Sequence, residues 1–156
     1  PFCPVMRSLL VEELNKTDSA VHDGGTYVVI EGPSFSTMAE SKIYRSWEAS
    51  IIGMTALPEA KLAREAGICY TTLACVTDYD VWHETHDAVT VEMVLANLQR
   101  NVAVAQDLIS KVVNRLPLRR TCGCTTALSN ALITSPDHMS TSTKECLKVI
   151  AGDLVD

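Results

Sequence analysis

A chain of 156 residues, 47% hydrophobic and 21% charged, has the composition of one globular domain, able to bury roughly two-thirds of its unfolded surface. Its formal net charge of −6 argues against a nucleic-acid footprint, which needs a basic patch. No apolar run reaches the roughly 18 residues of a membrane span, so no membrane partner is expected.

In chain order, residues 2–16 place Val5, Leu9, Leu10 and Leu14 at helical spacing. Asp23-Gly24-Gly25 turns the chain into residues 26–30, TYVVI, a β-branched strand ended by Glu31-Gly32-Pro33. Thr37-x-x-Glu40 is a capping box and predicts a helix over about 38–47. Residues 51–54 read as a second short buried strand. Pro58 suits the first turn of a helix that Gly67 closes as its C′ residue.

Residues 68–80, ICYTTLACVTDYD, organise the rest. The apolar run 68–76 reads as a strand buried on both faces, ending abruptly at Thr77, Asp78, Tyr79 and Asp80. Ligands of open α/β sheets bind beyond such carboxyl ends, and the i, i+2 spacing predicts Asp78 and Asp80 on one side of an extended segment. Taken alone, TDYD is equally a polar loop with a cap.

A polar loop, VWHETHDAV, follows. Thr90 then caps a long helix to about Leu116, with a stripe of Val91, Val94, Leu95, Leu98, Val102, Ala105, Leu108, Ile109 and Val112. Residues 117–124 form a linker before a short helix over 127–133 and another opened by a capping box, Ser142-x-x-Glu145. Strands alternating with helices imply a parallel or mixed sheet in an α/β architecture.

Pro1, with no initiator Met, points to a processed chain or part of a longer polypeptide, and no signal peptide's basic and apolar regions follow it. Cys3, Cys69, Cys75, Cys122, Cys124 and Cys146 are scattered rather than set out as a secreted framework, which favours a cytoplasmic protein. Cys69 and Cys75 read most simply as buried thiols.

Three stretches in order then carry a resemblance: residues 30–41 (IEGPSFSTMAES), Gly53-Met54-Thr55 with Pro58-Glu59, and residues 76–80 (VTDYD). Together they resemble the trimeric purine nucleoside phosphorylases, and within them the S-methyl-5′-thioadenosine phosphorylases, in register from about Pro1 to about Thr134. The resemblance implies a three-layer α/β/α fold with a mixed sheet, of which this chain is the C-terminal part. It divides the chain into 1–116, the C-terminal part of the phosphorylase domain, and 117–156, a linker with a CxC and short helices. The family's Gly-rich turn and Arg-His pair, which hold phosphate, are not found in these residues. Exposed sheet edge and core are therefore expected.

By resemblance, Asp78 is the acid that protonates or hydrogen-bonds N7 of a departing purine, a role that needs it neutral through burial or a neighbouring carboxylate. Asp80 stays an acceptor for the exocyclic 6-amino group. An amino group donates where a 6-oxo group accepts, so the two aspartates favour adenine. Met54 and Thr55 resemble the ribose- and phosphate-contacting pair, and Phe35 the residue that stacks near base or sugar. Ser36 and Val91 resemble positions that choose between a 5′-methylthio and a 5′-hydroxyl group, with Val94 and Leu95 as apolar lining. Read without the resemblance, Met54, Phe35, Val91 and Leu95 are packing residues. Ser34 and Met38 stand where the family usually has arginines, and Ser34 makes the turn more like that of the 6-oxopurine enzymes.

The function implied is phosphorolysis of S-methyl-5′-thioadenosine to adenine and 5-methylthioribose 1-phosphate. Phosphate is a co-substrate, with no cofactor and no metal. A homotrimer is implied, with a separate N-terminal chain as a further candidate partner. The alternatives are a purine nucleoside phosphorylase of broader or 6-oxopurine specificity, and a truncated non-catalytic subunit or nucleoside-binding fragment. His83-Glu84-Thr85-His86 lacks HExxH spacing and a third ligand, and reads better within a gating loop. Cys122-Gly123-Cys124 resembles a CxC of some family members; reduced thiols on a tail are expected, since a bridge spanning one residue is strained.

Overall fold

The computed structural model describes residues 1–83 and 90–155. They divide into two compact units, one of 1–8, 58–72 and 117–156, the other of 9–57 and 73–116. Among the described residues no helix is long and apolar enough to cross a membrane.

In the unit of 9–57 and 73–116, strands β1 (Thr26–Val29) and β2 (Ala49–Gly53) pair in parallel, Tyr27 opposite Ile51 and Val29 opposite Gly53. The crossover between them is helix α2, Met38–Ser46. Its start is the expected capping box: Thr37 Oγ1 accepts from Glu40 N–H while the Glu40 carboxylate accepts from Thr37 N–H at 2.7 Å. This βαβ connection is the expected α/β architecture.

Helix α1 (Pro4–Leu14) opens the chain, and helix α3 (Ala56–Glu65) follows β2. Leu57 is non-helical, so the regular part of α3 begins at Pro58. Gly67 ends it at φ +63°, with Ile68 N–H donating to Ala63 C=O, the closure expected of a C′ glycine. Helix α4, Val91–Val113, is capped by Thr90, whose side chain accepts from Met93 N–H.

Three expectations fail. No strand forms over 68–76. A strand needs neighbours for its backbone groups, and this segment's bonds run elsewhere: Tyr70 C=O accepts from Cys3 N–H, and Val76 C=O from the Asn101 amide. No helix forms over 127–133, where isolated turns such as Ala127 N–H to Cys124 C=O stand instead. Helix α5, Thr141–Ala151, is capped by Ser140 rather than Ser142. Ser140 Oγ accepts from Thr143 N–H, which leaves Ser142 inside the first turn.

The core is sparse. Among the described residues, the buried apolar ones are Cys3, Ala60, Cys124, Ala151 and Val155 in the unit of 1–8, 58–72 and 117–156, and Ala56, Leu108 and Val112 in the other. The α4 stripe is buried only at Leu108 and Val112, while Val91, Leu95, Leu98 and Val102 remain exposed. Exposed core was expected, and α4 carries much of it.

Candidate active site

Asp80 is half-buried and held from two sides. Ser41, on the inner face of α2 and 1% exposed, donates through Oγ to Asp80 Oδ2 at 2.5 Å. Val81 N–H donates to Asp80 Oδ1 at 2.9 Å. The carboxylate therefore has a fixed orientation, set by a helix distant in sequence. Sequence reasoning reached the motif ending in Ser41 but missed this role; a serine on the apolar side of an amphipathic helix was the available signal.

Asp78 is placed differently. It is exposed, sits at a bend, and its Oδ2 accepts from Thr77 Oγ1 at 2.6 Å. The bend at Asp78 departs from the extended strand end expected here. The burial on which the acid role of Asp78 rests is not formed by the described residues.

Two amides of α4 fasten the segment carrying both aspartates. Asn97 Nδ2 donates to Thr77 C=O at 2.7 Å and Asn101 Nδ2 to Val76 C=O at 2.9 Å. Their i, i+4 spacing puts both on one helical face, directed at consecutive carbonyls. Neither was singled out from sequence, because two asparagines on a helix carry no such signal alone. Beyond Asp80, the Arg45 guanidinium lies 3.5 Å from the centre of the Trp82 ring, a cation–π contact joining α2 to the start of the following loop. Tyr79 and His83 rings pack with centroids 4.5 Å apart. Of the proposed gating loop and its HETH stretch, residues 84–89 lie outside the described residues.

A cavity of about 390 Å³ lies where β1 meets the start of α2, lined by Val29, Ile30, Glu31, Gly32, Ser34, Phe35, Ser36, Glu40 and Tyr44. Phe35 and Ser36, neighbours in sequence, both line it. Phe35 is 84% exposed among the described residues. Ser36 Oγ is buried with no hydrogen-bond partner among the described residues. Met54 adjoins the cavity wall through Gly32: a Cβ built on Gly32, at φ +69°, would stand 2.8 Å from Met54 Sδ. The Thr37 hydrogen bonds, first the backbone and then the hydroxyl, hold the Glu40 carboxyl below its usual range, keeping a negative charge at the rim.

Thr55 is exposed between β2 and α3. Val91, Val94 and Leu95 do not line this cavity. Val94 is half-buried, and Val91 and Leu95 are 70% and 51% exposed, so the latter two are not core of the described residues either.

The CxC residues are also placed. All six cysteines are free, and Cys124 is buried rather than on an open tail.

The comparisons with known proteins agree with these motifs. The family model of the Phosphorylase superfamily matches residues 1–114. A curated S-methyl-5′-thioadenosine phosphorylase of Thermosynechococcus vestitus is 51% identical over 96% of this chain and 53% of its own length. The crystal structure of a methylthioadenosine phosphorylase from an antarctic soil metagenomic library matches with a TM-score of 0.86 at 44% identity, over 96% of this chain and 54% of that one. A variant of the adenosine/methylthioadenosine phosphorylase of Schistosoma mansoni, in complex with methylthioadenosine, matches with a TM-score of 0.69 at 31% identity, over 84% of this chain and 49% of that one. The chain spans about half the length of the curated relatives it matches. With the family match taking in all three motif stretches and the βαβ unit that positions them, this chain belongs to the phosphorylase superfamily.

Proposed function

We propose that the polypeptide carrying this chain catalyses phosphorolysis of S-methyl-5′-thioadenosine, yielding adenine and 5-methylthioribose 1-phosphate. The observation that carries this reading is Asp80, oriented by Ser41 and Val81 N–H two residues from a second aspartate. A fixed carboxylate accepts from the 6-amino group of adenine and repels a 6-oxo group. Asp78 supplies the hydrogen bond or proton to N7 as the purine leaves, once bound substrate and its surroundings exclude water.

The other roles follow from chemistry. Met54 packs on the sugar face, and Thr55 offers a hydroxyl and a backbone N–H to phosphate. Phe35, with an uncovered ring, stacks on base or sugar. The unpaired Ser36 hydroxyl supports a ligand-side partner, because a buried hydroxyl left unpaired costs about 1–3 kcal/mol. Val91, Val94 and Leu95 offer apolar surface to the methylthio group. No cofactor is called for. The assembly is a homotrimer, cytoplasmic, acting in purine and methionine salvage; the uncovered apolar face of α4 is in keeping with burial by further polypeptide.

The test is adenine release by the full polypeptide from methylthioadenosine, adenosine and inosine in parallel, with and without phosphate. Phosphate-dependent turnover of methylthioadenosine with inosine inert is expected. Inosine cleavage at a comparable rate would move the assignment to 6-oxopurine specificity, and no phosphorolysis of any of the three would overturn it.

A further inference from the structure

Four of the six cysteines converge. The sulfur atoms of Cys3, Cys69, Cys122 and Cys124 all lie within 4.8 Å of one another, and Cys69 Sγ and Cys122 Sγ are 3.3 Å apart. We propose that these four side chains form a tetrathiolate site for a divalent zinc ion.

Geometry is the first argument. A zinc ion at about 2.3 Å from each of four tetrahedral sulfurs sets them about 3.8 Å apart, so the observed spacings need shifts of about 1 Å or less. Pairwise disulfides need no such four-way convergence, and a bridge within Cys122-Gly123-Cys124 would close a strained ring. The other two cysteines, Cys75 and Cys146, are exposed and outside the cluster.

The second argument is where the ligands come from. The unit they belong to is built of 1–8, 58–72 and 117–156, and these stretches give one, one and two of the thiols. Apart from Val155, the buried apolar residues of this unit are small: Cys3, Ala60, Cys124 and Ala151. A unit with so little apolar volume gains most from a central cross-link, and binding energy at a structural zinc site is folding energy. Hydrogen bonds already tie these stretches together near the cluster: Cys3 N–H donates to Tyr70 C=O beside Cys69, and Arg120 donates to Gly67 C=O at 2.8 Å.

Electrostatics supply the third. Four thiols in contact cannot all ionise without a cation between them. Coordination displaces the thiol protons to solvent, leaving four thiolates on one zinc ion with no change of oxidation state.

The test uses the full polypeptide, purified under reductant without chelator, with zinc measured by elemental analysis and the metal-free form titrated with cobalt(II) as a spectroscopic probe. Stoichiometric zinc and a thiolate-to-cobalt charge-transfer band are expected. Both should fall roughly tenfold or more in Cys122→Ser and Cys69→Ser and persist in a Cys75→Ser, Cys146→Ser double variant. Cys122 is half-exposed, so its serine variant keeps the fold testable; its circular dichroism is read alongside. Fully reduced protein that binds neither ion would overturn the proposal. So would zinc retained in Cys122→Ser, or bridges among the four cysteines in protein kept under reductant.

Discussion

Ser41 Oγ and Asp80 Oδ2 meet at 2.5 Å across 39 positions of sequence, linking α2 to the segment that carries the aspartates. Removing the donor in Ser41→Ala leaves Asp80 oriented by Val81 N–H alone, a loss of about 1 kcal/mol. Activity on methylthioadenosine, measured as kcat/KM, is expected to fall about five- to tenfold. Asp80→Asn should go further, because an amide donates as well as accepts, and the preference for adenosine over inosine should shrink or reverse. An unchanged preference would remove Asp80 from base recognition.

Asn97 and Asn101 pin consecutive carbonyls of Thr77 and Val76. Asn97→Ala and Asn101→Ala should each cost about 1 kcal/mol and speed hydrogen exchange over residues 76–80, with little change over β1 and β2. Exchange read by mass spectrometry checks this; uniform acceleration across the chain would mean a general loss of stability instead.

Phe35 separates packing from recognition cleanly. Its ring is 84% exposed, so Phe35→Ala should leave stability within about 0.5 kcal/mol. KM for methylthioadenosine is expected to rise several-fold. A fall in melting temperature with KM unchanged would return Phe35 to a structural role.

Gly32 and Met54 form a matched pair at the cavity wall. Gly32→Ala places a methyl group 2.8 Å from Met54 Sδ at a residue with φ +69°, adding strain of about 1 kcal/mol or more. Met54 must move, so weaker sugar binding is expected together with reduced stability. The double variant Gly32→Ala, Met54→Ala should recover part of the stability but not the binding, as read by denaturant unfolding and KM.

Acid stability is governed in part by Glu13. Hydrogen bonds from Lys16, then Arg115, hold its carboxyl below the ordinary value of 4.5, with Lys16 Nζ at 2.7 Å. The unfolded chain takes up the proton at higher pH than the folded one, so this stabilisation is complete above about 4.5 and fades as pH falls through the lowered value. Glu13→Gln should flatten the acid limb of the unfolding midpoint between pH 5 and pH 3, roughly, and leave the slope near neutrality unchanged. A parallel acid limb in the variant would assign that limb to other carboxylates.

What could be read in the amino-acid order alone was whatever neighbours a few residues apart decide. The capping box at Thr37 and Glu40, the cap at Thr90, the C′ glycine at Gly67 and the β-branched run that became β1 all satisfy backbone groups from within a turn or two, so they stand as expected. The ordered motifs also identified the family, because residue type and spacing are properties of the sequence itself. The apolar run 68–76 reads as a strand but forms none, since a strand exists only where another backbone pairs with it. For the same reason the tertiary structure alone set Asp80 on Ser41. It alone gathered Cys3, Cys69, Cys122 and Cys124 into one cluster. These contacts join residues tens of positions apart, and no local preference encodes which distant side chain will arrive.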